Sequence, residues 1–268
     1  MNLRSTAASR RPGSRTVGCM YDIHTRHRTL ALLAEGRSLN AVSHSTGISR
    51  AAIRDWAAHG PEPSGIGSIP LRTDGPAYPY LLGLYLGDGC LSVNHRGIYW
   101  LRIACADSWP GLIDACEDAI RTVRPGGAVC RVQRQGCVQV TACSKQWPTV
   151  FPQHGPGRKH ERRIALEPWQ REIVDAHPWE FIRGLIHSDG CRFTNWTEQW
   201  RGGELRRYEY PRYFFTNKSE DILRLFCGAL DHVGVEWKVT RRGGRPYNIS
   251  VARRASVALM DLHVGPKH

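Results

Sequence analysis

The chain of 268 residues carries 37 Lys and Arg against 24 Asp and Glu, a formal net charge of +13, which suggests a polyanionic partner, most simply nucleic acid. It is 41% hydrophobic with nine Trp, enough for a packed core, and no apolar run reaches membrane-spanning length. Nine scattered Cys, none in a Cys-x-x-Cys pair, argue against a zinc site or a disulfide framework and favour reduced thiols in a cytosol.

Residues 1–20, rich in Arg, Ser and Gly, read as a disordered basic tail. Residues 21–60 carry Leu30, Leu33, Leu39, Val42, Ile48, Ile53 and Trp56 at helical spacing, broken at Glu35–Ser38 and at Ser45–Ile48. The spacing predicts helix 26–34, Ser38 as a cap, helix 39–45, a turn through Gly47, Ser49 as a cap and helix 50–58. This resembles a helix-turn-helix of the resolvase or repressor kind, with Ile48, Ile53 and Trp56 inward and Ser49, Arg50 and Arg54 facing a DNA groove. A plain helical bundle is the alternative. Residues 61–77, punctuated by Pro and Gly, read as a linker.

Next comes Tyr80-Leu-Leu-Gly-Leu-Tyr-Leu-Gly-Asp-Gly-Cys90, and it is nearly repeated as Phe181-Ile-Arg-Gly-Leu-Ile-His-Ser-Asp-Gly-Cys191, 101 residues on. Each copy predicts a short apolar helix ending at Asp-Gly, the Gly suited to a left-handed closing residue. Gly83 and Gly87 in one copy, and Gly184 and Ser188 in the other, put small residues on one face, so the two helices can meet almost backbone to backbone. That would bring Asp88 and Asp189 side by side, a pair that a divalent cation such as Mg²⁺ would neutralise. Gly111–Asp118 partly echoes the repeat, lacks the closing Asp-Gly, and reads as an amphipathic helix.

After the first copy, 91–94 and 98–105 predict a hairpin, Ser108 a cap for a helix to about Val123, 128–134 and 137–143 a second hairpin, and 145–151 a short helix. Alternation suggests Arg131, Gln133 and Gln139 on an exposed polar face that could read bases, as any half-exposed sheet would also offer. The second half repeats the order, with a longer first hairpin (191–200 with 205–216), Ser219 as a cap, and Gly243-Gly244 at the last turn. Its exposed-face candidates are Arg192, Thr194, Lys238 and Asn248. Both halves end in Lys-His: Lys159 stands 71 residues after its Asp and Lys267 stands 78 after its own.

The two repeated stretches resemble the dodecapeptide motifs of LAGLIDADG (DOD-type) homing endonucleases, in the single-chain form with two motifs. The resemblance covers 78–268 and implies an α+β fold of two pseudo-symmetric αββαββα halves (78–165 and 178–268) sharing a central helix pair, behind a small all-α domain. It implies cation binding by Asp88 and Asp189 with Gly87 and Ser188, catalytic Lys159 and Lys267, double-stranded DNA as partner, and a monomer that acts as a pseudo-dimer. Leu86 and His187 depart from the family name, at a position that varies in the family. The expected activity is Mg²⁺-dependent, site-specific double-strand DNA cleavage in the cytoplasm, associated with the nucleoid. A DNA-binding regulator on a catalytically silent scaffold is the second reading, and an enzyme acting on intron RNA the third.

Overall fold

The computed structural model describes residues 23–60 and 71–268. The chain divides into two compact units, Met1–Ser68 and Ile69–His268. The expected basic tail and the first ten residues of the expected linker lie outside the described residues.

In the first unit three helices, α1 (Ile23–Ala34), α2 (Leu39–Thr46) and α3 (Arg50–His59), enclose a core of Val42, Ile48, Ile53 and Trp56. Ser38 caps α2 by accepting from the Ala41 amide, and Ser49 caps α3 by accepting from the Ala52 amide. Gly47 closes α2 at φ +70°, a left-handed conformation that a side chain would resist.

The second unit opens with α4 (Ala77–Asp88), which runs without a loop into β1 (Gly89–Val93). There follow β2 (Tyr99–Ala106), α5 (Pro110–Val123), β3 (Val129–Arg134), β4 (Cys137–Ser144) and α6 (Trp147–Val150). A helix that the sequence reading did not anticipate, α7 (Pro168–Ala176), precedes the second half. Its signal was present: Glu167 and Gln170 form a reciprocal capping box around Pro168. The second half is α8 (Pro178–Asp189), β5 (Gly190–Arg201), β6 (Glu204–Thr216), α9 (Glu220–His232), β7 (Lys238–Arg242), β8 (Arg245–Val251) and α10 (Arg254–His263). Each half is thus αββαββα around an antiparallel sheet, ordered β1-β2-β4-β3 and β5-β6-β8-β7.

One apolar core runs through both halves, from Leu101 and Ile103 under the first sheet to Phe215 and Ile249 under the second. Between them α4 and α8 are in contact at their backbones. A Cβ placed on Gly83 would stand 2.7 Å from the Phe181 carbonyl oxygen and from the Leu185 nitrogen, and one on Gly184 would stand 2.2 Å from the Tyr80 carbonyl oxygen. The expected role of these two glycines is realised in full. Across the same interface the Tyr80 hydroxyl and His187 Nδ1 are hydrogen-bonded at 2.9 Å, and the Arg183 guanidinium lies 4.4 Å from the Tyr80 ring centre. Burial pushes His187 down to about 3, so its imidazole is neutral in this setting.

Two local expectations need correction. Gly89 and Gly190 close their helices in extended backbone, at φ −91° and −104°, and not in the left-handed conformation. Glycine is needed there for space: a Cβ on Gly89 would meet Tyr85 Cα at 2.5 Å, and one on Gly190 would meet Ile186 Cα at 2.7 Å. Ser108 does not cap α5, whose N-cap residue is Trp109, with no side-chain hydrogen bond and Pro110 at the first turn.

The β5–β6 hairpin is the longest element pair. Only Tyr213–Thr216 of β6 pair onward with β8, so beyond Pro211 the two strands continue as a free ribbon to the turn at Gly202-Gly203. Both glycines have positive φ, 60° and 83°, as a two-residue hairpin turn requires.

Gly83→Ala and Gly184→Ala are expected to lower stability by about 3 kcal/mol each in urea unfolding, the upper end for overpacking, because the added methyl meets backbone. Gly228→Ala is the contrasting case. It lies mid-helix in α9 with nothing within 4 Å of its Cβ, and should stabilise by about 0.5–1 kcal/mol.

Candidate active site at the ends of the paired helices

Because α4 and α8 touch and each ends at its aspartate, the C-termini of both helices open at one place. Asp189 Oδ2 lies where a Cβ on Gly87 would be only 3.1 Å away, and the Ser188 hydroxyl would be nearer still. Gly87 and Ser188 are therefore the last step of the helix contact as well as the residues before the two aspartates.

Both aspartates are harder to ionise than usual. Burial among protein atoms pushes Asp88 up to about 6, with the neighbouring Asp189 charge adding to the effect and Lys267 and Lys159 opposing it. Asp189 is raised by burial, and the hydrogen bond from Asn217 is the largest influence against that rise. The Asn217 amide nitrogen donates to Asp189 Oδ2 at 2.6 Å, while its own oxygen accepts from the Ser219 amide at 2.8 Å. That second bond fixes which way the amide faces. Asn217 did not enter the sequence reading; it follows the last residue of β6, and only the strand register brings it to Asp189.

Each half sends back a lysine. Lys159, in a single 3-10 turn (Lys159–Glu161), donates to the carbonyls of Tyr85 at 2.5 Å, Leu86 at 2.9 Å and Gly87 at 2.7 Å. Lys267 donates to the Ser188 carbonyl at 3.0 Å. Each ammonium thus sits on the open carbonyls at a helix C-terminus, the negative end of the helix dipole. Burial lowers Lys159 to about 8 and lowers Lys267 as well; the aspartate holding charge on Lys159 is chiefly Asp189, and on Lys267 chiefly Asp88. The lysines are therefore exchanged: each caps the helix of its own half and balances the carboxylate of the other.

This donor set fits a hard cation. Two carboxylates and several carbonyl oxygens converge, and ammonium groups already occupy the carbonyls from Gly87 and Ser188. Among the described residues no group of three or more His, Cys, Asp or Glu stands close enough together to hold a metal ion, so the protein's carboxylate ligands here number two. A Mg²⁺-like ion, which keeps several waters and few protein ligands, suits such an open site.

The predicted sheet contacts separate into two groups. Gln139 pairs with Ala104, and Lys238 and Asn248 share a face with Phe214 and Thr216, all on the faces turned away from the helices. Arg131, Gln133, Arg192 and Thr194 do not lie there, which corrects the expectation. Arg131 pairs with buried Val140, so its side chain is on the helix side, where it donates to Asp114 at 2.7 Å and Glu117 at 2.5 Å on α5. Gln133 pairs with Val138 on the same side. Arg192 pairs with buried Tyr213 and is held by Asp261 on α10 at 2.6 and 3.0 Å, and Thr194, two residues on, takes the same side. The cause is register. A two-residue turn at Gln135-Gly136 pairs odd residues of β3 with even residues of β4, so Arg131 and Gln133 follow Val129 toward the helices. The open faces carry Arg102, Arg134 and Arg212, which the sequence reading passed over. In the first unit Ser49, Arg50 and Arg54 are all exposed, with Arg50 donating to Asn40 at 3.0 Å.

No protein-family model matches the chain, and no curated protein matches it. Solved structures do. The homing endonuclease I-DmoI in complex with DNA and Ca is similar at a TM-score of 0.47 and 17% identity, over 72% of this chain and 91% of that one. The LAGLIDADG meganuclease I-AabMI bound to uncleaved DNA is similar at 0.44 and 13%, over 70% and 84%. The N-terminal LAGLIDADG domain of DUF199/WhiA is similar at 0.44 and 11%, over 74% and 86%. The chain's structural neighbours are LAGLIDADG proteins. They include both endonucleases and the WhiA domain, and the LAGLIDADG likeness is one of fold.

Asp88 binds its proton more tightly folded, at about 6, than at the ordinary 3.8, so the folded chain holds more protons across that interval. Relative to Asp88→Asn, the cation-free native protein is expected to lose stability as pH rises from 4 through 6, while the neutral buried His187, at about 3, works in the opposite direction over the same range in both proteins. Asp88→Asn should remove that fall and raise stability at pH 7.5 by about 1 kcal/mol, solvent reaching the carboxylate having screened the rest. Thermal unfolding from pH 4 to 8 in chelator checks both.

Proposed function

We propose that the chain is a site-specific double-strand DNA endonuclease that hydrolyses one phosphodiester on each strand with the help of a divalent cation, Mg²⁺ foremost. The observation that carries the reading is the meeting of two aspartates, each with a half-buried lysine near it, at the shared ends of two touching helices. Asp88 and Asp189 would each hold a cation for one strand, beside the carbonyls of Gly87 and Ser188, which already accept from the two lysines. When bound, such an ion lowers the pKa of its water and neutralises charge developing on the phosphate and the leaving oxygen. Lys159 and Lys267 add fixed positive charge close to both carboxylates, where an incoming phosphate needs it.

Binding would use the open sheet faces, through Gln139, Lys238 and Asn248 together with Arg102, Arg134 and Arg212. Phosphate contacts supply most of the affinity and base-edge contacts the specificity. The three-helix unit would add a second DNA contact as a helix-turn-helix, with Ser49, Arg50 and Arg54 at the groove. The protein would act as a monomer whose halves serve as a pseudo-dimer.

The test is cleavage of a duplex library seeded with host genomic fragments, with Mg²⁺, by the native protein and by the Asp88→Asn/Asp189→Asn double variant. Cut products of fixed stagger are expected from the native protein, with at least about a hundredfold loss in the variant. Duplexes recovered uncut and held equally by both proteins would overturn the enzyme and leave a DNA-binding regulator.

On a recovered target, Lys238→Ala should weaken binding and reduce the salt slope by about one. Arg192→Ala should leave affinity and slope unchanged and lower stability by about 1 kcal/mol, since its partner is Asp261. Filter binding from 50 to 200 mM salt distinguishes the two.

A further inference from the structure

The two halves match in topology and differ in what stands beside each aspartate. In both, the glycine after the aspartate opens a hairpin, Gly89 pairing with Ile103 and Gly190 with Phe215. Two residues beyond those partners stand Cys105 in the first half and Asn217 in the second. Asn217, oriented by the Ser219 amide, donates to Asp189. Cys105 is buried, lies against the buried Cys116 on α5, and has no amide to offer the carboxylate. Among the described residues no side chain or amide donates a hydrogen bond to Asp88.

The surroundings differ in the same sense. A cleft of about 410 Å³ opens at Asp189, lined also by Gly87, Lys159, His160, Asn217 and Lys218. The residue after the other lysine, His268, is turned elsewhere: its carbonyl accepts from the Leu112 amide at 3.1 Å, and its ring lies within 2.2 Å of where a Cβ on Gly111 would be. His160 therefore faces the cleft at one aspartate, while its counterpart covers the start of α5.

We infer that the halves are unequal divalent-cation sites, with Asn217 as a positioning residue that makes the Asp189 side the tighter one and the first to act on DNA. A fixed donor on Oδ2 stabilises the ionised carboxylate and holds its other oxygen in one place, so less order is lost when a cation arrives. Asp88 has burial without that compensation. The part concerning DNA rests on the proposed endonuclease reading; the cation part does not.

Two measurements test it. The first needs no DNA: Mn²⁺ is titrated into the full chain and the free ion is followed by electron paramagnetic resonance. Asp189→Asn should remove the tighter-held ion and Asp88→Asn should leave it, while Asn217→Ala should weaken it about tenfold. Equal losses in the two aspartate variants, or an Asn217→Ala protein that binds like the native one, would overturn the inequality. The second follows each labelled strand of a cleavable target. Nicked duplex should accumulate with one strand cut about tenfold faster, a difference of about 1.4 kcal/mol in barrier. Asp189→Asn should abolish that faster cut, and Asn217→Ala should slow it and spare the other.

Cys105→Asn supplies the reverse change and should speed the slower strand; where it does not fold, Asn217→Ala decides alone. Equal cutting of both strands by the native protein would overturn the ordering. If neither strand is cut, the endonuclease reading falls, and the Mn²⁺ titration still decides whether the sites are unequal.

Discussion

Everything in the larger unit depends on two helices approaching without side chains between them. At Gly83 and Gly184 the distance left for a Cβ is 2.2–2.7 Å, so no other residue fits without moving backbone. The approach sets the two halves against each other and brings the ends of α4 and α8 to one opening. It also sets the Asp88 and Asp189 carboxylates near each other, the feature on which the proposed cation binding rests. Packing here is the origin of the electrostatics.

The lysines extend that logic. A buried ammonium is costly unless its hydrogen-bonding protons are all used. Lys159 uses three, on carbonyls that the end of α4 leaves open. It is at once a helix cap for its own half and a counter-charge for the other half's aspartate. Each lysine thereby ties together parts of the chain more than seventy residues apart. Rupture of either contact would disturb the helix end and the carboxylate together, so structural and chemical roles cannot be separated by a single deletion of these side chains.

The repeated Gly-x₄-Asp-Gly core made the helix pair, its glycine seam and its terminal aspartates readable in advance, because those features depend on local spacing and on a duplication that can be counted. Ser38, Ser49 and Ser219 declared their caps for the same reason. What escaped depends on register. A strand's parity is fixed by the turn that joins it to its neighbour, and assigning polar residues to the open side by their polarity placed Arg131 and Arg192 on the wrong face. Both satisfy acids on the helices instead, Asp114 and Glu117 for one and Asp261 for the other. Asn217 escaped because nothing in its neighbourhood marks it; its meaning comes from Asp189, 28 residues earlier in the chain. The closing glycines show the opposite case: the residue was read correctly and the reason was not, since space and not backbone conformation requires them.

The free ribbon of β5 and β6 gives the two halves different reach. β5 has 12 residues where β1 has 5, and Trp196 and Trp200 on it are 51% and 73% exposed. At about 3.3 Å per residue the seven extra residues add roughly 23 Å along the strand. On a duplex laid across the open faces that is about seven base pairs of additional footprint on one flank. Under the proposed DNA-binding function, the short hairpin would not span the matching flank of a palindrome, so the preferred duplex would be lopsided and the longer ribbon would set which way round it is bound.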